Sequence, residues 1–177
     1  MAHRALTGVL LVGGASSRFG SPKALAQLDG ETLASRGRRL LDAVCDEVLV
    51  VGKRGELPFP VLDDGSEVRA PVVGVVAGLR AAAHEPVVFL PVDCPLVTAA
   101  LLKRLAHACR DAAVPASGPL PGAWAKSALP VLERRLASGA LSLRHAYPEL
   151  DVAVVDVDER LLADADTPAA LSVLAGL

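Results

Sequence analysis

An α/β architecture, a mostly parallel sheet covered by helices on both faces, is expected from three features of the chain. Short apolar runs alternate with amphipathic stretches, the pattern of successive βαβ units. The amphipathic stretches carry apolar residues three and four apart, as Leu101, Leu102, Leu105 and Ala108 do. Helix-start chemistry stands where helices would begin: Thr98 and Thr167 at N-cap positions and Pro168 at a first helical position.

Taken in order, the first strand is read at 5–12, where the apolar run 8–12 breaks into glycines. A helix over 31–44 and short apolar strands at 47–52 and 59–62 follow. A helix over 73–84 leads to the strand 86–92, whose core is Val87-Val88-Phe89-Leu90-Pro91-Val92. The spacing then gives a helix over 98–111 and a strand at 112–116. The Gly/Pro-rich segment 115–122 reads as a loop inside the domain and not as a linker. A helix over 130–138, a strand at 151–156 and a last helix over 168–176 complete the chain. No internal repeat or low-complexity tract interrupts it, and 177 residues suit one domain with a full core.

Composition narrows the function classes. Hydrophobic residues make up 52% of the chain, yet no apolar run approaches the ~20 residues of a membrane span. A net charge of −2 and 3% aromatic residues argue against a nucleic-acid surface, which wants a basic face and stacking rings. Cys45, Cys94 and Cys109 are odd in number, far apart and without a C-x-x-C pair, so neither a disulfide framework nor a zinc site is indicated and a reducing cytoplasm is expected. His3, His84, His107 and His145 are scattered, with no serine or cysteine partner, so a hydrolytic triad is not expected.

The first strand runs into Gly13-Gly14-Ala15-Ser16-Ser17-Arg18-Phe19-Gly20-Ser21-Pro22-Lys23. Paired glycines let backbone N–H groups turn toward an anion, the serines add small donors, and Arg18 and Lys23 bring two cations to one place. The alternative is a plain turn with solvated charges, but this concentration of groups directly after a strand suits a polyphosphate. It is not an ATPase P-loop, because Lys23 follows Gly20 by three positions with Pro22 between them. Nor is it the G-x-G-x-x-G dinucleotide fingerprint, since no glycine stands two residues after Gly14.

In open α/β sheets ligands bind beyond the carboxyl ends of the strands, and the 86–92 strand delivers Asp93-Cys94-Pro95 to that edge. Mg²⁺ that accompanies a triphosphate is commonly held by one or two carboxylates and the phosphates themselves, which makes Asp93 the first candidate ligand. A second comes from Asp164-Ala165-Asp166-Thr167-Pro168, where Asp166, beside the cap, is favoured over Asp164. The same run could instead simply cap the last helix.

The opening segment resembles the nucleotidyltransferase signature G-G-x-S-x-R-[MF]-G-x-x-K, filling seven typed positions in eleven residues, and specifically that of the molybdenum cofactor guanylyltransferases. The D-x-P step at 93–95 and the D-x-D-T-P run at 164–168 extend the resemblance over nearly the whole chain. It implies a Rossmann-like nucleotidyltransferase fold, one MobA-like NTP transferase domain over 1–177, and transfer of GMP from GTP to Mo-molybdopterin with release of pyrophosphate. Carried over by position, Leu11, Val12 and Gly13 look like the backbone beside the base and Lys23 like the phosphate lysine, with Gly14 of the loop among the nucleotide-binding residues. Asp93 would be the Mg²⁺ ligand with Asp166. The segment Val61-Leu62-Asp63-Asp64 resembles the strand whose last aspartate lies near the nucleotide, and Pro71-Val72-Val73-Gly74 resembles the G-P-L-A-G turn, so Asp64 and Gly74 are the matching positions.

The implied chemistry is in-line attack by the acceptor phosphate on the α-phosphorus, with Arg18, Lys23 and an Asp93-bound Mg²⁺ supplying positive charge. The implied partners are GTP, Mo-molybdopterin, and proteins that deliver molybdopterin or receive the finished cofactor. The chain departs from the pattern at Val12, at Val51 where a polar residue is usual, at Ala70 for glycine, and at 118–126, which offers Trp124 and Lys126 near the acceptor. A cytidylyltransferase, a sugar-phosphate nucleotidyltransferase and a nucleotide-binding chaperone or regulatory module are the alternatives.

Overall fold

A computed structural model of the chain describes residues 4–13, 23–53 and 57–175. In chain order these form β1 (Thr7–Leu11), the two-residue strands β2 (Gln27–Leu28) and β3 (Glu31–Thr32), α1 (Leu33–Asp42), β4 (Glu47–Gly52), β5 (Leu62–Asp63) and α2 (Pro71–Ala81). They continue with β6 (Val87–Pro91), α3 (Ala99–Ala108), β7 (Ala112–Pro115), β8 (Gly122–Trp124), α4 (Leu129–Ala137), β9 (Val152–Val155) and α5 (Pro168–Leu174). Among the described residues the strands make a seven-stranded sheet in the order β5-β4-β1-β6-β8-β7-β9, and β2 and β3 make a separate small hairpin.

The central strands are buried on both faces, which is why they read as continuous apolar runs and not as alternating ones. Alternate residues feed two cores. Leu10, Val88 and Leu90 face one that includes Leu33 and Leu41 of α1, Leu101, Leu102 and Leu105 of α3, and Leu171 and Leu174 of α5. Val9, Leu11, Val87 and Phe89 face the other, closed by α2 and α4. Each such side chain taken from water contributes roughly 1.5–3 kcal/mol, and a slip of one residue in either strand would exchange side chains between the two cores and spoil the packing of both. The register is therefore pinned.

That register positions the edge where ligands would bind. Thr7 pairs with Glu47 and Val87, and Leu11 pairs with Val51 and Pro91, so β1, β4 and β6 end level. The ladder continues one step further: Val12 N–H donates to the Val51 carbonyl at 2.9 Å and Val92 N–H to the Leu11 carbonyl at 3.0 Å. The segments after the three strands thus emerge side by side.

The sheet departs from an all-βαβ order at β8, which runs antiparallel to both β6 and β7. Because β8 runs away from the carboxyl edge, Trp124 pairs with Val87 and Ala112 in the core and is fully buried. Lys126 ends at the opposite edge, its ammonium donating to the Ala82 carbonyl at 2.6 Å. Neither residue reaches the ligand edge, which corrects the expectation drawn from 118–126. The cap residues fall as expected: Thr98 accepts from Leu101 N–H at 3.3 Å and Thr167 from Ala170 N–H at 3.0 Å.

Helix α2 lies low on the sheet because glycines stand where it crosses β1 and β6. A Cβ on Gly78 would come within 2.6 Å of the Phe89 ring, and one on Gly74, a turn earlier, within 2.8 Å of Leu11 Cδ2. Phe89 is fully buried and cannot give way. Gly78→Val should therefore lower stability by about 1–3 kcal/mol through overpacking, measured as the urea midpoint; an unchanged midpoint would show that α2 is free to ride higher.

Candidate active site

The carboxyl edge carries charge on both sides of β1. On the β6 side the strand ends at Pro91, and a turn closed by Cys94 N–H on the Pro91 carbonyl at 3.2 Å presents Asp93. Opposite it, the short helical turn Lys23–Leu25 leans on α1 through buried Ala24 and sets Lys23 over the carboxylate. The Lys23 ammonium lies 3.1 Å from Asp93 Oδ2 and 2.7 Å from Asp166 Oδ1. The Cys94 thiol donates to the other Asp93 oxygen, at 3.7 Å, so both oxygens of that carboxylate are oriented.

Asp166 arrives from the far end of the chain by a backbone contact. Ala165 is fully buried, and its N–H donates to the Asp93 carbonyl at 2.8 Å. The C-terminal run is thereby docked onto the Asp93 turn immediately before Thr167 caps α5. Asp164, the other acidic residue of the run, lines an open cleft of about 450 Å³ with Ser117, Gly118, Leu120, Glu159 and Leu162. Residues two apart in extended chain share a side, and Asp164 is not out of the site's field. Burial, then the charges of Asp166 and Asp93, raise its carboxyl pKa.

Electrostatics at Lys23 run in opposing directions. Its side chain is 16% exposed, and burial works to lower the ammonium pKa. The hydrogen bonds and charges of Asp166 and Asp93 outweigh that and hold it above the ordinary lysine value. The Cys94 thiol is pushed well up by burial and by neighbouring Asp93, so it stays protonated as a donor.

The β4 side carries a second cluster. Lys53 follows β4 directly, and its ammonium lies 2.8 Å from Asp64 Oδ1 and 3.2 Å from Asp63 Oδ1. Asp64 is held by its own N–H on the Gly52 carbonyl at 3.3 Å and by Ser66 N–H on its Oδ1 at 3.1 Å. Between the clusters Gly13 and Gly52 bring two backbones together beside the Val12 side chain. A Cβ on Gly52 would fall 2.7 Å from the Gly13 nitrogen, so only glycine lets the two segments pass this closely.

Of the residues singled out from the sequence, Lys23, Asp93 and Asp166 meet at one point. Leu11, Val12 and Gly13 lie beside it at the end of β1, and Asp64 stands two strands away. Gly74 packs α2 on Leu11. Gly14 and Arg18 fall outside the described residues. Gly52 and Lys53 went unremarked in the sequence, although a charged residue directly after a strand that ends level with β1 is the same signal that marks Asp93.

The donor set suits a hard cation. Asp93 and Asp166 bring two carboxylates to one point, and Mg²⁺ is typically held by one or two carboxylates, waters and substrate phosphates. Among the described residues no group of three or more His, Cys, Asp and Glu gathers into a self-sufficient metal cage, so the remaining ligands would come from substrate and water. Among the same residues no helix is long and apolar enough to cross a membrane.

Residues 8–154 match the MobA-like NTP transferase domain. The molybdenum cofactor guanylyltransferase of Desulfosudis oleivorans is 31% identical over 174 residues, which cover 90% of this chain and 84% of that protein. A probable molybdenum cofactor guanylyltransferase of Deinococcus radiodurans is 34% identical over 183 residues, covering 97% and 94%. In fold, the chain superposes on molybdopterin-guanine dinucleotide biosynthesis protein A from Archaeoglobus fulgidus with a TM-score of 0.81 at 22% identity, covering 96% of this chain and 97% of that one.

Because the folded-state pKa of Lys23 is raised above the unfolded value of 10.5, its ion pairs contribute their full stability below that pH and lose it as pH rises through the folded value. Urea unfolding at pH 8 and pH 11 should show wild type losing about 0.5–1 kcal/mol more than Lys23→Met, the scale of a partly exposed pair. Equal losses in the two proteins would contradict the pairing.

Proposed function

The chain belongs to the MobA-like NTP transferase family, and on that premise we propose that it is a molybdenum cofactor guanylyltransferase, moving GMP from GTP to the terminal phosphate of Mo-molybdopterin. The observation that carries the reading is the convergence of Lys23, Asp93 and Asp166 at the end of β1, at the foot of the glycine-rich loop. One cation and two carboxylates at that place suit a substrate that is itself a polyanion accompanied by a divalent cation.

In the reaction an oxygen of the acceptor phosphate forms a bond to the α-phosphorus of GTP, and the bond from that phosphorus to the bridging oxygen breaks, releasing pyrophosphate. The acceptor oxygen is already ionised at neutral pH, so the protein needs no nucleophile and no strong base. Its work is alignment and charge stabilisation. Lys23 turns its ammonium from the carboxylates to the phosphates, where it offsets charge building on the leaving group. Arg18 brings a second cation from the same loop. Asp93 and Asp166, relieved of Lys23, would hold Mg²⁺, which when bound would supply positive charge against the developing negative charge. The Cys94 thiol and the Ala165 N–H keep the Asp93 turn in place through that exchange.

Backbone at Leu11, Val12 and Gly13, with Gly74 holding α2 close, forms the floor for the nucleoside. Its polar groups at Asp64 lie to one side, and the cleft at Asp164 lies to the other, toward the acceptor. A cytoplasmic site suits this reading, and the free thiols fit it: Cys45 and Cys109, half-buried, have pKa values pushed up to about 12, chiefly by burial, and are inert at neutral pH. Proteins that deliver molybdopterin or accept the finished dinucleotide cofactor are its expected partners.

Lys23→Ala and Asp93→Ala should stay folded, with unfolding free energies within about 1 kcal/mol of wild type, yet lose at least ~100-fold in pyrophosphate release from GTP with acceptor, the scale of one preorganised electrostatic contact. Near-normal turnover in either variant would refute the assignment of that residue. Tight binding of Mg·GTP by wild type without any transfer would identify a nucleotide-binding module instead.

A further inference from the structure

We infer that Lys53, paired with Asp64, reads the base of the nucleotide and selects guanine. The inference rests on the guanylyltransferase reading and assigns its base specificity to a residue of this chain. With the phosphates at Lys23, the nucleoside must leave β1 toward one side. Toward β6 it would meet Asp93, Asp164 and Asp166. Toward β4 it crosses the bare backbone of Gly13 and Gly52, a floor on which a flat ring can lie. Neighbouring strands are about 4.8 Å apart and β4 lies two strands from β6, so Lys53 stands roughly 10 Å from the Lys23 cluster, a distance a ribose and a base can bridge, with Asp64 brought to Lys53 from β5.

At that distance stand a donor and an acceptor side by side. Val51, the last apolar residue of β4, is fully buried and offers a base no hydrogen bond. Lys53, two residues on, is the next residue on the same side of the extended chain, and its side chain is 39% exposed. Asp64 is 13% exposed and fixed by Gly52, Ser66 and Lys53. Lys53 and Ser66 both use its Oδ1, and among the described residues no partner takes Oδ2. Guanine presents an acceptor, O6, followed along one edge by two donors, N1–H and N2–H, which an ammonium beside a carboxylate matches. Adenine and cytosine begin that edge with an amino group and continue with a bare ring nitrogen, which turns a lone pair toward the carboxylate. Uracil supplies O4 and N3–H but ends in a second carbonyl. A hydrogen-bonding pair that the base covers rejects ligands that leave it unmatched.

The test is calorimetric titration of wild type, Lys53→Ala and Lys53→Gln with GTP, 6-thio-GTP, CTP and ATP in Mg²⁺, with thermal unfolding of each protein as a control. The thio analogue keeps both donors and replaces O6 by a poor acceptor. Wild type should prefer GTP over the other three. Lys53→Ala should bind GTP about 10–100-fold more weakly while its affinities for 6-thio-GTP, CTP and ATP change less than about threefold, so that the preference collapses. Lys53→Gln, which keeps a donor without the charge, should restore part of it. Equal weakening for all four nucleotides, or an unchanged preference for GTP in Lys53→Ala, would overturn the inference and leave the guanylyltransferase reading standing. A wild type that prefers CTP, or binds none of the four, would overturn both.

Discussion

One ammonium group holds together three parts of the chain that nothing local would assemble. Lys23 reaches Asp93, 70 residues away, and Asp166, 143 residues away, and each partner is delivered by a different device. Asp93 comes on a turn at the end of a doubly buried strand, and Asp166 on an extended run docked by a single backbone hydrogen bond. Two carboxylates on one ammonium repel each other, and the lysine between them offsets that repulsion. The lysine therefore keeps the site preorganised. Partly exposed pairs contribute only about 0–1 kcal/mol each to stability, so the arrangement is better understood through what it does to an incoming polyanion than through what it adds to the fold.

The sheet is what makes a bridge of this kind possible. Because β1, β6 as far as Leu90 and the last three residues of β4 are buried, their register is fixed and their ends are level, and the two charged clusters flank β1 on one edge. The glycines serve the same end. Gly13 and Gly52 bring two backbones into contact between the clusters, and Gly74 and Gly78 lower α2 onto the sheet beside them. The proposed phosphate chemistry on one side and the proposed reading of the base on the other would then both follow from strand order.

Much of this was legible in the sequence, for reasons that are physical. The strands β1 and β6 announce themselves as continuous apolar runs, and Thr98 and Thr167 are caps whose side chains have no better use than the first-turn N–H groups they accept. Asp93 was legible because a strand aims it at the ligand edge. The strand β8 was not: three residues, Gly122–Trp124, inside a Gly/Pro-rich stretch have no period, and only pairing with β6 and β7 makes them a strand. That same antiparallel direction carries Trp124 into the core and Lys126 to the far edge. The start of α1 also shifted, because Glu31 and Thr32 pair with β2 and Thr32 then caps the helix. Lys53 gave a signal as clear as that of Asp93 but no family motif drew attention to it, and its partner Asp64 is brought to it by the β4–β5 pairing.

The central claim is that Lys23 holds the two carboxylates only until a nucleotide arrives with its divalent cation, when the lysine passes to the phosphates and the cation takes its place on the carboxylates. The most direct measurement is a crystal structure of the protein with Mg²⁺ and α,β-methylene-GTP, in which the bond that transfer would break is blocked. The account predicts the Lys23 ammonium within hydrogen-bond distance of a phosphate oxygen, with Asp93 and Asp166 turned to the metal. A nucleotide bound elsewhere, with Lys23 still on both carboxylates, would contradict it.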